Sequence, residues 1–107
     1  MTVILERRKS LRRRVFKGAK LFFHNFMMSV DCTIRNESGS GMQITVDPDL
    51  MLSNDLSLLD RKEGTIAPVQ VIWRHGPHMG VALLGEVEDV RRSGHAHIRQ
   101  LSTMIRG

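Results

Sequence analysis

Hydrophobic and polar residues alternate along several short stretches between residues 15 and 85. Alternation with a period of two is typical of β-strands that bury one face. The residues expected to face inward are Ala19, Leu21 and Phe23; Val30, Cys32 and Ile34; Met42, Ile44 and Val46; Val69, Val71 and Trp73; and Val81 and Leu83. A weaker candidate at residues 55–59 brings the prediction to about six strands.

Short segments rich in turn-forming residues separate these stretches. They lie at residues 24–25, 36–41, 47–49, 62–64 and 75–77. Short connections favour antiparallel neighbours, and six strands are enough to close a small barrel that leaves no edge exposed. The sequence therefore predicts an all-β fold, a six-stranded antiparallel β-barrel over residues 15–85.

The pattern changes after residue 85. Apolar residues and one glycine now recur every three or four residues: Val87, Val90, Gly94, Ile98, Leu101 and Ile105. This spacing is typical of a helix with one packed face. We expect a C-terminal helix over residues 86–107, weakened in the middle by Gly94, as part of the same single domain. Its apolar stripe is expected to pack within the chain or to form the seam of a homodimer.

Positive charge is concentrated near the N-terminus. Residues 6–20 contain eight arginines and lysines against the single anion Glu6, whereas the whole chain of 107 residues has a net charge of +5. Residues 1–14 are therefore predicted to form a basic arm that binds an anionic partner. Because like charges repel and the segment has little to bury, we expect this arm to be flexible without its partner.

The composition excludes several classes of protein. A single cysteine, Cys32, cannot form an intramolecular disulfide, and its strand position predicts a small buried side chain. The apolar residues 2–5 are too few for a signal peptide, and no apolar run is long enough to span a membrane. We expect a cytoplasmic protein without a membrane span.

The turn at residues 36–41 reads Asn-Glu-Ser-Gly-Ser-Gly. Its amide and hydroxyl groups could bind base edges or phosphate oxygens, and its glycines would let backbone N–H groups approach closely, although any strand-connecting turn uses the same residue types. Arg8 and Arg12 in the arm offer planar forks that can hold a phosphate or the edge of guanine and can stack on a base. Together the two elements suggest a nucleotide-binding site.

These elements resemble the PilZ domain of bacteria, whose pattern is Arg-x-x-x-Arg followed by Asp/Asn-x-Ser-x-x-Gly. Residues 8–12 (Arg-Lys-Ser-Leu-Arg) fit the first part, and residues 36–41 fit the second with its three defining positions filled. The strand-like stretches at residues 31–35, 69–74 and 79–81 are similar to PilZ strands as well, so the resemblance covers about residues 6–84.

The resemblance implies binding of cyclic di-GMP, a bacterial second messenger built from two guanines and two phosphates. Arg8 and Arg12 would hold phosphates and guanine edges, Asn36 and Ser38 would hydrogen-bond a guanine or its phosphate, and Gly41 would shape the turn. In the family, an arginine directly before the motif is associated with uptake of a stacked pair of ligands, and Arg7 occupies that place. No further cofactor and no metal are implied.

The implied function is that of a sensor and adaptor in second-messenger signalling. Ligand binding would change the conformation of the arm and relay the signal to a separate downstream effector protein, because so short a chain is not expected to carry an effector domain of its own. The pathway is not named by any feature of the sequence.

Two other classes of function compete with this one. A basic arm on a small barrel is also typical of nonspecific nucleic-acid binders, but one Trp, four Phe and no Tyr offer no obvious platform for stacking bases. An enzyme is not expected, because no nucleophile and base are placed to act together. The histidines at 75, 78, 95 and 97 lack the partners that would complete a metal site.

Overall fold

The computed structural model describes residues 12–53 and 55–104. Most of the predicted basic arm lies outside these residues, including Arg7 and Arg8. The predicted flexibility of the arm therefore also concerns residues outside the described part. The described part of the arm begins at Arg12, which is exposed and directly precedes the first strand.

Six strands form a closed antiparallel barrel. They are β1 (Arg13–Phe23), β2 (Met28–Glu37), β3 (Gly41–Thr45), β4 (Leu56–Asp60), β5 (Thr65–His75) and β6 (His78–Leu83). Hydrogen bonding links them in the order β1, β2, β3, β6, β5, β4, and β4 pairs with β1 to complete the ring. The predicted six-stranded antiparallel barrel is confirmed.

The barrel interior holds most of the residues that the alternation predicted. Its buried core consists of Ala19, Leu21, Phe23, Cys32, Ile34, Ile44, Val46, Leu56, Leu58, Val69, Met79 and Val81. Burial of these apolar side chains supplies the main favourable term in folding.

The long C-terminal helix predicted over residues 86–107 is wrong for the part that the structure describes. A two-residue strand, β7 (Glu88–Asp89), pairs with the start of β5. It is followed by turns, by a four-residue helix, α1 (Ala96–Arg99), and by a 3-10 turn, Gln100–Met104. No helix within residues 12–53 and 55–104 is long and apolar enough to cross a membrane.

Local hydrogen bonds explain why this segment leaves the helical path. The Asp89 carboxylate accepts from the Arg91 amide at 2.9 Å, and the Ser93 hydroxyl accepts from the His95 amide at 3.0 Å. Short polar side chains that bind nearby backbone amides in this way stabilise turns in place of helix, and Gly94 adds the lowest helix propensity apart from proline.

The apolar stripe nevertheless has a packing role. A second cluster on the outside of the barrel joins Val90, Ile98 and Leu101 from the stripe to Phe22, Leu59 and Ile66 from the strands. β1, β4 and β5 are therefore covered on both faces at this point. Of the two expectations for the stripe, packing within the chain describes these residues: its described apolar residues, apart from the exposed Val87, pack against their own barrel.

The turn between β1 and β2 is tightly constrained. His24, Asn25 and Phe26 have positive φ angles of 52°, 55° and 67°, a conformation that side chains with a Cβ rarely adopt. The Asn25 amide donates to the Asp55 carboxylate at 2.7 Å, and Phe26 packs on Phe22 with ring centroids 5.3 Å apart. Met27 remains 84% exposed at the tip, so of the Phe26–Met28 group it is the residue that meets solvent most fully.

Candidate ligand-binding site

A β-bulge turns Asn36 towards the outer surface of the barrel. Regular alternation would place Asn36 on the same inner face as Ile34, but the pairing of β2 with β3 shifts between these two residues, with Arg35 as the extra residue. Asn36 is thereby paired with Gln43, and its Nδ2 donates to Gln43 Oε1 at 3.0 Å. The bulge therefore places a motif side chain where a ligand can reach it.

A second bulge does the same for Trp73. The prediction that Trp73 faces the core with Val69 and Val71 is wrong, because the pairing of β5 with β6 shifts between Val71 and Trp73. Trp73 lies opposite Gly80 and is 38% exposed, whereas the inward Val69 is fully buried. The indole is part of the outer surface.

The two bulges bring four side-chain positions into one row across the barrel. Asn36 on β2 pairs with Gln43 on β3, Gln43 pairs with Gly80 on β6, and Gly80 pairs with Trp73 on β5. Directly opposed residues on neighbouring strands share a face of the sheet. The row thus runs from the amide of the motif residue Asn36 to the aromatic ring of Trp73, and Gly80 beside the ring has no side chain.

This row borders a cavity of about 240 Å³. Its lining comprises Arg12, Asn36, Glu37, Ser38, Ser40, Gly41, Met42, Gln43, Ile72, Trp73, Gly80, Val81 and Ala82. All four predicted site residues that the structure describes, Arg12, Asn36, Ser38 and Gly41, are among them. The cavity combines a guanidinium, two amides, hydroxyls and an indole, a mixture suited to a nucleotide.

Backbone hydrogen bonds close the motif turn around Ser38. The Ser38 amide donates to the Gly41 carbonyl at 2.9 Å, and the Leu83 amide donates to the Ser40 carbonyl at 2.9 Å. The Ser38 hydroxyl accepts from the Ser40 amide at 3.3 Å. The hydroxyl is therefore held at the edge of the cavity by the turn itself.

The structure gives a reason for a glycine at position 41. It is the first residue of β3, and a Cβ at this position would lie 2.2 Å from the Val81 carbonyl oxygen on β6. The glycine is needed because two backbones approach closely under the cavity, and not because the turn requires an unusual φ angle at this position.

A buried ion network lies next to the cavity. The Lys17 ammonium, 7% exposed, is 2.7 Å from Glu37 Oε1 and 2.7 Å from Asp60 Oδ2. The other Glu37 oxygen, Oε2, accepts from the guanidinium of Arg13. Asp60 Oδ1 in turn accepts from the amides of Lys62 and Glu63 at 3.0 Å each, so the network ends on the β4–β5 turn.

The shifted pKa values of Lys17 and Glu37 both favour the charged form of the side chain. Burial alone raises the pKa of the Glu37 carboxyl, but hydrogen bonds from Lys17 and Arg13 outweigh it and leave the pKa below its ordinary value. Burial alone lowers the pKa of Lys17, but its hydrogen bonds to Asp60 and Glu37 outweigh that effect and leave the pKa raised. The pair is therefore ionised at neutral pH.

A larger opening of about 630 Å³ lies at this end of the barrel. Its polar lining includes Arg13, Lys17, Glu37 and Asp60, and its apolar lining includes Leu58 and Leu83. Glu37, Ser38 and Met42 line both spaces, so the end of β2 and the start of β3 separate them.

Sequence reasoning missed several of these residues. Gln43 and Gly80 pair without any shift across β3 and β6, and Trp73 joins them only through the bulge in β5, which leaves no mark in the alternation. Lys17 could have been found, because it shares the inward parity of Ala19 and Leu21, and a lysine at an inward position needs acidic partners. No group of three or more His, Cys, Asp or Glu within the described residues is arranged to hold a metal.

Comparison with models of known protein families finds no match, and no curated protein matches the sequence. Function is therefore inferred from the chemistry that the site presents and from the motifs that build it.

Proposed function

We propose that this chain is a PilZ-type receptor for cyclic di-GMP. The observation that supports this most strongly is the convergence of Arg12 with Asn36, Ser38 and Gly41, from distant parts of the sequence, on one small cavity. Turn residues of these types are common, but here the pairing of β1 with β2 sets Arg13 opposite Glu37 and so adds the arginine just before β1 to the turn.

The groups around the cavity suit a guanine nucleotide. The guanidinium of Arg12 can hold a phosphate or the O6/N7 edge of guanine with parallel hydrogen bonds. Because Asn36 Nδ2 already donates to Gln43, its carbonyl oxygen is the atom that would accept from a guanine N–H. The exposed part of the Trp73 indole offers a face on which a base can stack.

The cavity is smaller than a whole dinucleotide requires. Sites for ligands of this size usually enclose about 300–1,000 Å³, whereas this cavity has about 240 Å³. We propose that it holds one nucleotide unit and that Arg8 and Arg7, which lie outside the described residues, contact the rest of the ligand. Arg7 would then favour a stacked pair of ligand molecules.

We further propose that binding changes the conformation of the arm and that this change is read by a separate effector protein. Arg12 directly precedes Arg13, the first residue of β1, so a ligand held by Arg12 is coupled to the barrel through the chain itself. Contacts made only in the bound arrangement would shift the population towards it. Slower amide exchange over residues 6–14 on adding cyclic di-GMP would support this step, and unchanged exchange at saturation would contradict it.

Titration calorimetry with cyclic di-GMP, GTP and a single-stranded oligonucleotide, each at low and high salt, tests the proposal. Saturable binding of cyclic di-GMP alone is expected, with a stoichiometry of one or two ligands per chain. Binding of the oligonucleotide alone, steeply weakened by salt, would instead indicate a nonspecific nucleic-acid binder and would overturn the proposal.

A further inference from the structure

Glu37 occupies the variable position between the two motif residues Asn36 and Ser38. Its carboxylate is 18% exposed and is held from two sides, by Arg13 through Oε2 and by Lys17 through Oε1. It lines the candidate ligand cavity together with Arg12. An acid at this place is unexpected in a site for an anionic ligand, because its charge opposes binding.

The inner side of Glu37 is firmly anchored. Lys17 is nearly buried and also pairs with Asp60 at 2.7 Å, and Asp60 is fixed by two amides of the β4–β5 turn. A buried charge with a partner on each side has few alternative positions, since any other arrangement leaves a charge unpaired. Glu37 therefore offers Arg13 a fixed point on the barrel.

The outer side is where this fixed point matters. The pairing of β1 with β2 shifts between Arg14 and Lys17. This irregularity separates the first two residues of β1 from the regular hydrogen-bonded part of the strand. Arg13 is directly opposite Glu37 in the register and is itself 76% exposed. The ion pair between Arg13 and Glu37 therefore holds the very start of the strand, one residue from Arg12.

We propose that Glu37 is a positioning residue for the ligand site: by holding Arg13, it fixes the start of β1 and so places Arg12 at the cavity. The inference rests on the proposed function for its ligand. It assigns to the variable position of the turn a role that the motif residues on either side do not have.

Electrostatics and positioning predict opposite effects when this carboxylate is neutralised. If Glu37 merely lies near the ligand, Glu37→Gln removes a repulsive charge and cyclic di-GMP binds more tightly. If Glu37 positions Arg12, the same change loosens the start of β1 and binding weakens. We expect cyclic di-GMP to bind Glu37→Gln about tenfold less tightly, a change that corresponds to the loss of one charge-assisted hydrogen bond.

Asp31→Asn is the matched control. Asp31 lies on the same strand and pairs with Lys20 on β1 at 2.7 Å, so the substitution removes the same charge from the same strand pair. Asp31 is 74% exposed and does not line the candidate cavity. Binding by Asp31→Asn should equal or slightly exceed that of the wild type. Unchanged or tighter binding by Glu37→Gln would overturn the inference.

Arg13→Gln provides a second route if Glu37→Gln folds poorly, because it leaves the Lys17, Glu37 and Asp60 contacts intact. Lys20→Gln removes a cation from the same strand and controls for the loss of charge. If Glu37 acts through Arg13, the double variant Glu37→Gln/Arg13→Gln should bind no more weakly than Arg13→Gln alone. Additive losses would overturn the inference, since they would mean that the two residues act independently.

Amide exchange without ligand separates this inference from the proposed function. Glu37→Gln should speed exchange over residues 13–15 by a larger factor than over residues 19–23, where only the lower overall stability acts, whereas an equal factor in both ranges would overturn the positioning role. If the wild type fails to bind cyclic di-GMP, the proposed function fails, and the exchange result still decides whether Glu37 holds the start of β1.

Discussion

The indole of Trp73 lies over the α-carbon of Gly80 on the neighbouring strand. A Cβ at position 80 would come within 2.1 Å of the indole nitrogen, so the ring occupies the space that any other residue at position 80 would fill. The bulge at Ile72 and the glycine at position 80 together place an aromatic ring at the edge of the cavity. The contribution of this ring to binding can be measured.

Trp73→Ala should weaken binding of cyclic di-GMP by about tenfold or more, because stacking of one base on an aromatic ring contributes about 1–3 kcal/mol. Trp73→Phe should retain much of the affinity. Leu84→Ala, which removes another exposed apolar side chain just after β6, is the control and should bind normally. Calorimetric titration of the three variants checks this, and equal affinity of Trp73→Ala and wild type would exclude a stacking role.

Gly41→Ala should destabilise the protein by about 1–3 kcal/mol, the usual cost of forcing extra atoms into a packed position. The added methyl group would meet the backbone carbonyl of Val81, which cannot move without disturbing the β3–β6 pairing. Gly39→Ala is the matched control, because a Cβ there would meet nothing within 4 Å. Thermal unfolding measures both variants, and similar melting temperatures for the two would contradict the close-approach explanation for Gly41.

The alternation of residues was enough to predict the barrel, because the interior is one continuous core and each strand contributes every second residue to it. Ala19, Leu21 and Ile34 show this directly. The same rule failed at Trp73, because a bulge adds one residue and reverses every face that follows it.

Much of the candidate site could be predicted because its motif residues lie in short sequence patterns. Arg12, Asn36 and Ser38 were identified in this way, and they do line one cavity. Their neighbours Gln43 and Trp73 depend on strand register, which the sequence does not reveal. The C-terminal helix was predicted wrongly because its spacing resembled a helix, whereas Asp89 and Ser93 stabilise turns through their own side chains.

Stability at acidic pH should depend on Glu37. Its pKa is lower in the folded protein than its ordinary value of 4.5, so the unfolded chain takes up a proton at a higher pH than the folded chain does. The stabilisation from this carboxylate is complete above about pH 4.5 and is lost as the pH falls through the folded pKa. Melting temperatures should therefore differ most between wild type and Glu37→Gln near neutral pH and converge as the pH falls through the folded pKa of Glu37. A difference that stays constant over this range would contradict the ion network.

Cys32 should react slowly with thiol reagents in the native protein. Burial, with a smaller effect from the charge of Asp31, raises the pKa of the Cys32 thiol from 9.0 to about 12. The reactive thiolate is then about a thousandfold rarer at pH 8 than in the unfolded chain, and the burial of the side chain hinders access further. Labelling rates with and without denaturant measure the effect. A native rate equal to the denatured rate would show that the position of Cys32 in the core is wrong.

If the cavity beside Arg12 binds cyclic di-GMP, calorimetric titration should distinguish wild type from Arg12→Ala. Arg92→Ala, which removes an exposed arginine from the turn after β7, controls for the loss of one positive charge. We expect saturable binding by the wild type and Arg92→Ala, and no measurable binding by Arg12→Ala at an unchanged melting temperature. Equal binding by Arg12→Ala and Arg92→Ala, or no binding by the wild type, would show that this cavity is not a cyclic di-GMP site.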